Sequence, residues 1–191
     1  MMPKELGKIA ITGASKGLGA AIYEDLSKDF DCLRTTSRLE DVHGLCSEIE
    51  GAGVLINNAC AGAGQLELLD HVYGLWKSTD RLIINIGSRA ANPNISLGFM
   101  YSTYKNALNH YSSLTTFKDR KKRCRITTIN PGLLGSHGGL GMTYHAVVSA
   151  IRYILGQDVG IEISRIDLHN ASPYEDVQDY KRSAGGKWKA S

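Results

Sequence analysis

The apolar run Lys8-Ile9-Ala10-Ile11 leads directly into Thr12-Gly13-Ala14-Ser15-Lys16-Gly17-Leu18-Gly19, and Leu18, Ala21, Ile22 and Leu26 then recur at helical spacing. This order of strand, glycine-rich turn and helix constrains the chain more than any other feature. A helix with one apolar stripe must lay that stripe against something, and a preceding buried strand supplies the sheet. The glycines allow a tight turn and close backbone approach, while the free N–H groups and dipole of the helix N-terminus attract pyrophosphate. Gly13, Ser15, Lys16, Gly17, Leu18 and Gly19 are therefore candidate dinucleotide contacts. The competing reading is a plain strand-to-helix turn.

The alternation of short apolar runs with helical periods continues along the chain. Asp31 to Thr36 reads as a second strand ending in Ser37-Arg38. Leu39 to Glu50 reads as a helix with Val42, Leu45, Cys46 and Ile49 on one face. Val54-Leu55-Ile56 and Leu82-Ile83-Ile84-Asn85-Ile86 read as buried strands, separated by a helix from Leu66 to Trp76 that Gly74 is expected to break. A loop from Ala90 to Gly98 precedes a helix bearing Tyr101, Tyr104, Leu108, Tyr111 and Leu114. Ile126 to Ile129, His145 to Leu155 and Ile161 to Leu168 follow as strand, helix and final strand. The expected architecture is a doubly wound α/β domain, Rossmann-like, with a mostly parallel sheet of about six strands in three layers. It occupies residues 1–170, and residues 171–191 read as a polar tail.

With 191 residues, 42% of them hydrophobic and 21% charged, the chain has material for one substantial core. A net charge of +3 does not argue for a nucleic-acid surface. The cations from Lys118 to Arg123 read as a solvated helix end that complements the dipole. Met1 to Lys8 holds no apolar stretch like a signal peptide and no run reaches membrane-spanning length, so neither a membrane partner nor export is expected and the cytoplasm is the expected location. Cys32, Cys46, Cys60 and Cys124 form no closely spaced pair and read as small buried thiols, and the six histidines form no metal-binding array.

Ser88, Tyr101 and Lys105 are the candidate catalytic residues. Four residues apart on a helix, Tyr101 and Lys105 lie one above the other, close enough for the ammonium to act on the phenol and lower its pKa. Tyr104 does not share that face. Ser88 emerges just past the end of a buried strand, where ligands bind in open α/β sheets. At the end of the second strand, an acidic residue would bind a ribose 2′-hydroxyl, whereas an arginine accommodates a 2′-phosphate. Arg38 stands there, and with Lys16 it favours NADP(H) over NAD(H).

The Thr-Gly-x-x-x-Gly-x-Gly turn from Thr12 to Gly19 is followed by Asn57-Asn58-Ala59, by Ser88 thirteen residues before Tyr101, by the Tyr-x-x-x-Lys pair and by Asn130-Pro131-Gly132. In this order, from Ile9 to about Leu168, they resemble the short-chain dehydrogenase/reductase family. The resemblance implies hydride transfer between a nicotinamide and a small-molecule carbonyl or secondary alcohol, in a homo-oligomer. It implies that Asn57 and Ala59 line the ribose side, that Pro131 and Gly132 form a turn beside the nicotinamide, and that Ser136 meets its carboxamide. It also implies two departures. The thirty-eight positions from Gly19 to Asn57 leave no room for a further strand and helix, and no asparagine between Asn58 and Asn85 can serve the usual relay to Lys105. A dinucleotide-binding sensor or scaffold without turnover is the alternative reading.

Overall fold

The computed structural model describes residues 7–92, 98–119, 121–135, 140–171, 176 and 179. Along the chain run β1 (Lys8–Ile11), α1 (Gly17–Leu26), β2 (Cys32–Arg34), α2 (Val42–Glu48), β3 (Ala52–Asn57), α3 (Gly64–Trp76), β4 (Leu82–Ile86), α4 (Phe99–Lys118), β5 (Arg125–Pro131), α5 (Tyr144–Leu155) and β6 (Arg165–Leu168), with a 3₁₀ turn at Arg89–Ala91. The six strands form one sheet in the order β2-β1-β3-β4-β5-β6, and every pairing is parallel. The order reverses beside β1, so the ends of β1 and β3 open a crevice where α/β sheets take ligands.

Strand alternation sorts the core into two layers. Ile9 and Ile11 of β1, Val54 and Ile56 of β3 and Ile84 of β4 pack against Ile22 and Leu26 of α1 and Val147, Ile151 and Ile154 of α5. Ala10, Leu55, Ile83 and Ile126 face the other way, onto Leu45 of α2, Leu68, Leu69, Val72 and Trp76 of α3 and Leu108 of α4. Burial on both sheet faces is what makes these strands read as continuous apolar runs.

The trimmed stretch between α1 and β3 holds β2 and α2, and β2 is an edge of the sheet, as the short interval anticipated. Three expectations need correction. First, α3 runs unbroken through Gly74, which is exposed with open space around it, because the apolar face on either side outweighs the modest propensity cost of one glycine. Second, the last strand is shorter than its alternating pattern. The Glu162 carboxylate, 2.9 Å from the Ile126 N–H, satisfies the β5 backbone where a strand would have done so. Third, part of the basic run after α4 is not a free, solvated end. Lys122 is bound to Glu162 at 2.5 Å with only 9% of its side chain exposed, and Arg123 is paired with Asp80. No helix among the described residues is long and apolar enough to cross a membrane.

Candidate active site

The crevice is built first from backbone. Gly13 and Gly17 have φ values of 65° and 58°, a region that residues with a Cβ rarely enter. Gly19 is buried so closely that a Cβ there would stand 2.2 Å from the Gly13 carbonyl oxygen. The N-cap of α1, Lys16, makes no side-chain capping bond and the first turn holds no acid, so no side chain of the helix itself claims those first N–H groups. Gly13, Ser15, Lys16 and Gly17 are exposed along the turn and Leu18 is half-buried. The Thr12 hydroxyl accepts from the N–H groups of Asn58 and Ala59, each at 2.9 Å, and the Asn58 amide donates to the Thr12 carbonyl at 3.0 Å. These bonds lock the glycine turn to the end of β3.

Asn57 does not line this crevice. It is fully buried on the opposite face, where its amide donates to the Gln65 carbonyl at 2.9 Å and to the Asn85 side chain at 3.0 Å. Successive strand residues point to opposite faces, so Asn57 braces the sheet while Asn58 and Ala59 hold the turn. Arg38 is exposed just beyond the end of β2. Pro131 ends β5 past the level at which β4 pairs, where its missing N–H costs no bond to β4. Gly132 lies against Asn170, which accepts from the Leu133 N–H at 2.8 Å and donates to the carbonyls of Leu133 and Leu140. Nothing in local periodicity marks Asn170, because the loop it ties lies more than thirty positions upstream. Ser136 lies outside the described residues.

Ser88, Tyr101 and Lys105 converge. Asn130 accepts the Ser88 N–H at 3.1 Å, fixing the serine at the mouth of β4, near enough to the Tyr101 phenol to favour its ionised form. The Lys105 ammonium lies over the Tyr101 ring, 5.7 Å from its centroid. Its hydrogen bonds go elsewhere: to Oε1 of Gln65 at 2.7 Å and to the Ile86 carbonyl at 2.8 Å. Burial, with 4% of the residue exposed, pulls the Lys105 pKa down, and Cys60 partly offsets this. For Tyr101, 38% exposed, burial is the largest influence and pushes the phenol up, with Ser88 opposing it. The sequence suggested a phenol lowered by the lysine. The direction is the reverse, because desolvation of the phenol is the largest influence on it.

Gln65 is the residue that sequence reasoning missed. It is 3% exposed in the first turn of α3, and its amide donates to the carbonyls of Asn57 at 2.6 Å and Ile86 at 3.0 Å while its oxygen takes the ammonium. One side chain thus joins β3, β4 and α4. The only signal for it was a polar residue on the apolar stripe of α3. Cys60, expected to be buried, is exposed and lines a cavity of about 210 Å³ with Gln65, Leu66, Met100, Tyr101 and Lys105. Tyr104 lines it too, so neighbouring positions on α4 do share this space. Among the described residues no group of three or more His, Cys, Asp or Glu side chains could hold a metal ion.

No family model and no curated protein sequence matches the chain. Solved structures do. Serine dehydrogenase from Escherichia coli is 16% identical, over 84% of this chain and 96% of that one, with a TM-score of 0.69. An alcohol dehydrogenase from the archaeon Thermococcus sibiricus, complexed with 5-hydroxy-NADP, is 16% identical over 87% and 98%, also at 0.69. The 3-ketoacyl-(acyl-carrier-protein) reductase from Brucella melitensis, complexed with NADH, is 15% identical over 84% and 96%, at 0.67. The fold is that of the short-chain dehydrogenases and reductases. Within that fold, Gln65 holds Lys105 directly, in a chain without the relay asparagine that the resemblance leads one to expect.

Proposed function

We propose that this protein is a short-chain oxidoreductase that moves hydride between NADP(H) and a small carbonyl or secondary alcohol. The observation that carries the reading is the meeting of Ser88, Tyr101 and Lys105 at the same end of the sheet as an uncapped helix N-terminus and its glycine turn. The crevice fits a dinucleotide on its own terms, since glycine is required at Gly19 and the N–H groups of α1 have no side-chain acceptor within the helix. Gly13, Ser15, Lys16, Gly17 and Leu18 would hold the pyrophosphate, with Ala59, Pro131 and Gly132 alongside. Arg38 and Lys16, both exposed, supply the charge for a 2′-phosphate. The nicotinamide, when bound, supplies the hydride.

The chain's own residues handle the proton and the charge. Tyr101, held protonated by burial, is the acid that delivers its proton to the developing alkoxide. Ser88, beside the phenol, directs a hydroxyl at the carbonyl oxygen. Lys105 keeps positive charge beside the ring as the phenolate forms. Self-association belongs to the same proposal, supported by the exposed Leu75 of α3 and the exposed Phe99, Met100 and Phe117 of α4.

One observation favours a second reading. Among the described residues the Lys105 hydrogen bonds go to Gln65 and Ile86 and none to the phenol, an arrangement that also suits a dinucleotide-binding protein without turnover. Titration with NADPH, followed by assay against a panel of aldehydes, ketones and quinones, separates the two. Saturable binding with oxidation of NADPH supports the enzyme, and binding with no oxidation across the panel supports the sensor.

A further inference from the structure

The turn that follows β2 collects four donors onto one carboxylate. Glu48, the last residue of α2, accepts the Thr36 N–H at 2.7 Å, the Ser37 N–H at 2.8 Å, the Thr36 hydroxyl at 3.1 Å and the Ser37 hydroxyl at 2.5 Å. All four donors are neutral, so they solvate the carboxylate's charge without cancelling it. Two consecutive N–H groups flanked by hydroxyls form the kind of concavity that proteins use for phosphate. Here a side chain of the same protein fills it.

The position of the turn says what else could fill it. Arg34 at the end of β2 is in register with Ile11 at the end of β1, and the Thr35 N–H donates to the Ile11 carbonyl at 3.2 Å. The four-donor turn therefore begins two residues beyond the level at which β1 ends and the glycine turn starts. Arg38 follows it directly and is exposed. Neutral donors followed at once in the chain by an exposed arginine make a candidate site for a phosphomonoester dianion.

We propose that Glu48 is a built-in occupant of an anion site at the end of β2, which a phosphomonoester must displace in order to bind. Under the reading given above, on which this rests, that group is the 2′-phosphate of NADP(H), and Glu48 sets the choice between the two dinucleotides. Its carboxylate competes for the donors and repels the phosphate, and it does neither to the 2′-hydroxyl of NADH. The hydrogen bonds from Ser37 and Thr36 hold the Glu48 pKa below its ordinary value although desolvation opposes them, so the competitor is a charged one at neutral pH.

The test is calorimetric titration of the wild type, Glu48→Gln and Glu48→Ala with NADPH, with NADH and with inorganic phosphate, thermal melting serving as the check on folding. Removing one charged competitor should tighten NADPH about tenfold in both variants and leave NADH within about twofold. Inorganic phosphate should bind the variants more tightly than the wild type and compete with NADPH but not with NADH. Equal changes for both dinucleotides, or weaker binding of both, would make Glu48 a structural tie and overturn the proposal. So would phosphate that binds the variants no better than the wild type. If no protein binds either dinucleotide, the cofactor reading fails, while the phosphate titration still decides the anion site.

Discussion

The proposed cofactor crevice and the proposed proton-handling site lie at the same end of one sheet but are built from different material. In the crevice, function would come from backbone: glycines at 13, 17 and 19, uncapped N–H groups of α1, and a threonine that ties two strand ends together. In the proposed proton-handling site it would come from polar side chains, with the buried Gln65, Lys105 and Asn130 and the half-buried Ser88 contributed by four separate elements or their edges. A backbone site needs small residues in a fixed order, which a sequence displays. A side-chain site needs distant residues to meet, and the sequence displays only the members that stand close together.

If this division is right, substitutions should separate the two sites. The largest effect belongs to Tyr101→Phe, which removes the acid and leaves the crevice untouched. Turnover should fall about a thousandfold, while the dissociation constant for NADPH stays within about threefold. Wild-type rates would remove Tyr101 from the mechanism. Gln65→Leu should come next. It strips an acceptor from a buried ammonium and donors from two buried carbonyls, and stability to urea should drop by about 3 kcal/mol. An unchanged midpoint would mean that the Ile86 carbonyl holds Lys105 without help.

Gly19→Ala strikes the crevice instead. A methyl placed 2.2 Å from a carbonyl oxygen must push the turn aside, so a loss of about 2 kcal/mol in stability should accompany weakened dinucleotide binding. Normal binding in this variant would show that the turn does not carry the ligand. The smallest effect is on pH dependence. Because burial outweighs the influence of Ser88 at Tyr101, the phenol stays protonated through neutral pH. Reduction should stay level below the ordinary phenol value of 10.0 and decline only above it. A decline centred below that value would mean that Lys105 dominates, as the four-residue spacing alone suggested.

Most of the architecture was legible because periodicity is a local signal. The alternation in β1 and β3 and the stripes of α1 and α5 follow from which faces are covered, and the short interval before Asn57 announced the trimmed edge. Ser88, Tyr101 and Lys105 were legible because they cluster within eighteen residues. Gln65 was not, since its meaning depends on a lysine forty positions away. Asn57 was misassigned for a related reason: two adjacent asparagines point to opposite faces, and the motif does not say which faces the crevice. The expected break at Gly74 and the overlong last strand were local signals overruled by packing and by the Glu162 carboxylate.

The most direct test of the central claim is isotopic. Reduced dinucleotide carrying deuterium at the transferable nicotinamide position would be incubated with the wild type and a panel of aldehydes and ketones. We predict deuterium on the former carbonyl carbon of at least one product, in amounts that track dinucleotide oxidation. Tight binding of the dinucleotide with no deuterium delivered to any member of the panel would contradict the account and leave a binding protein with an oxidoreductase's fold.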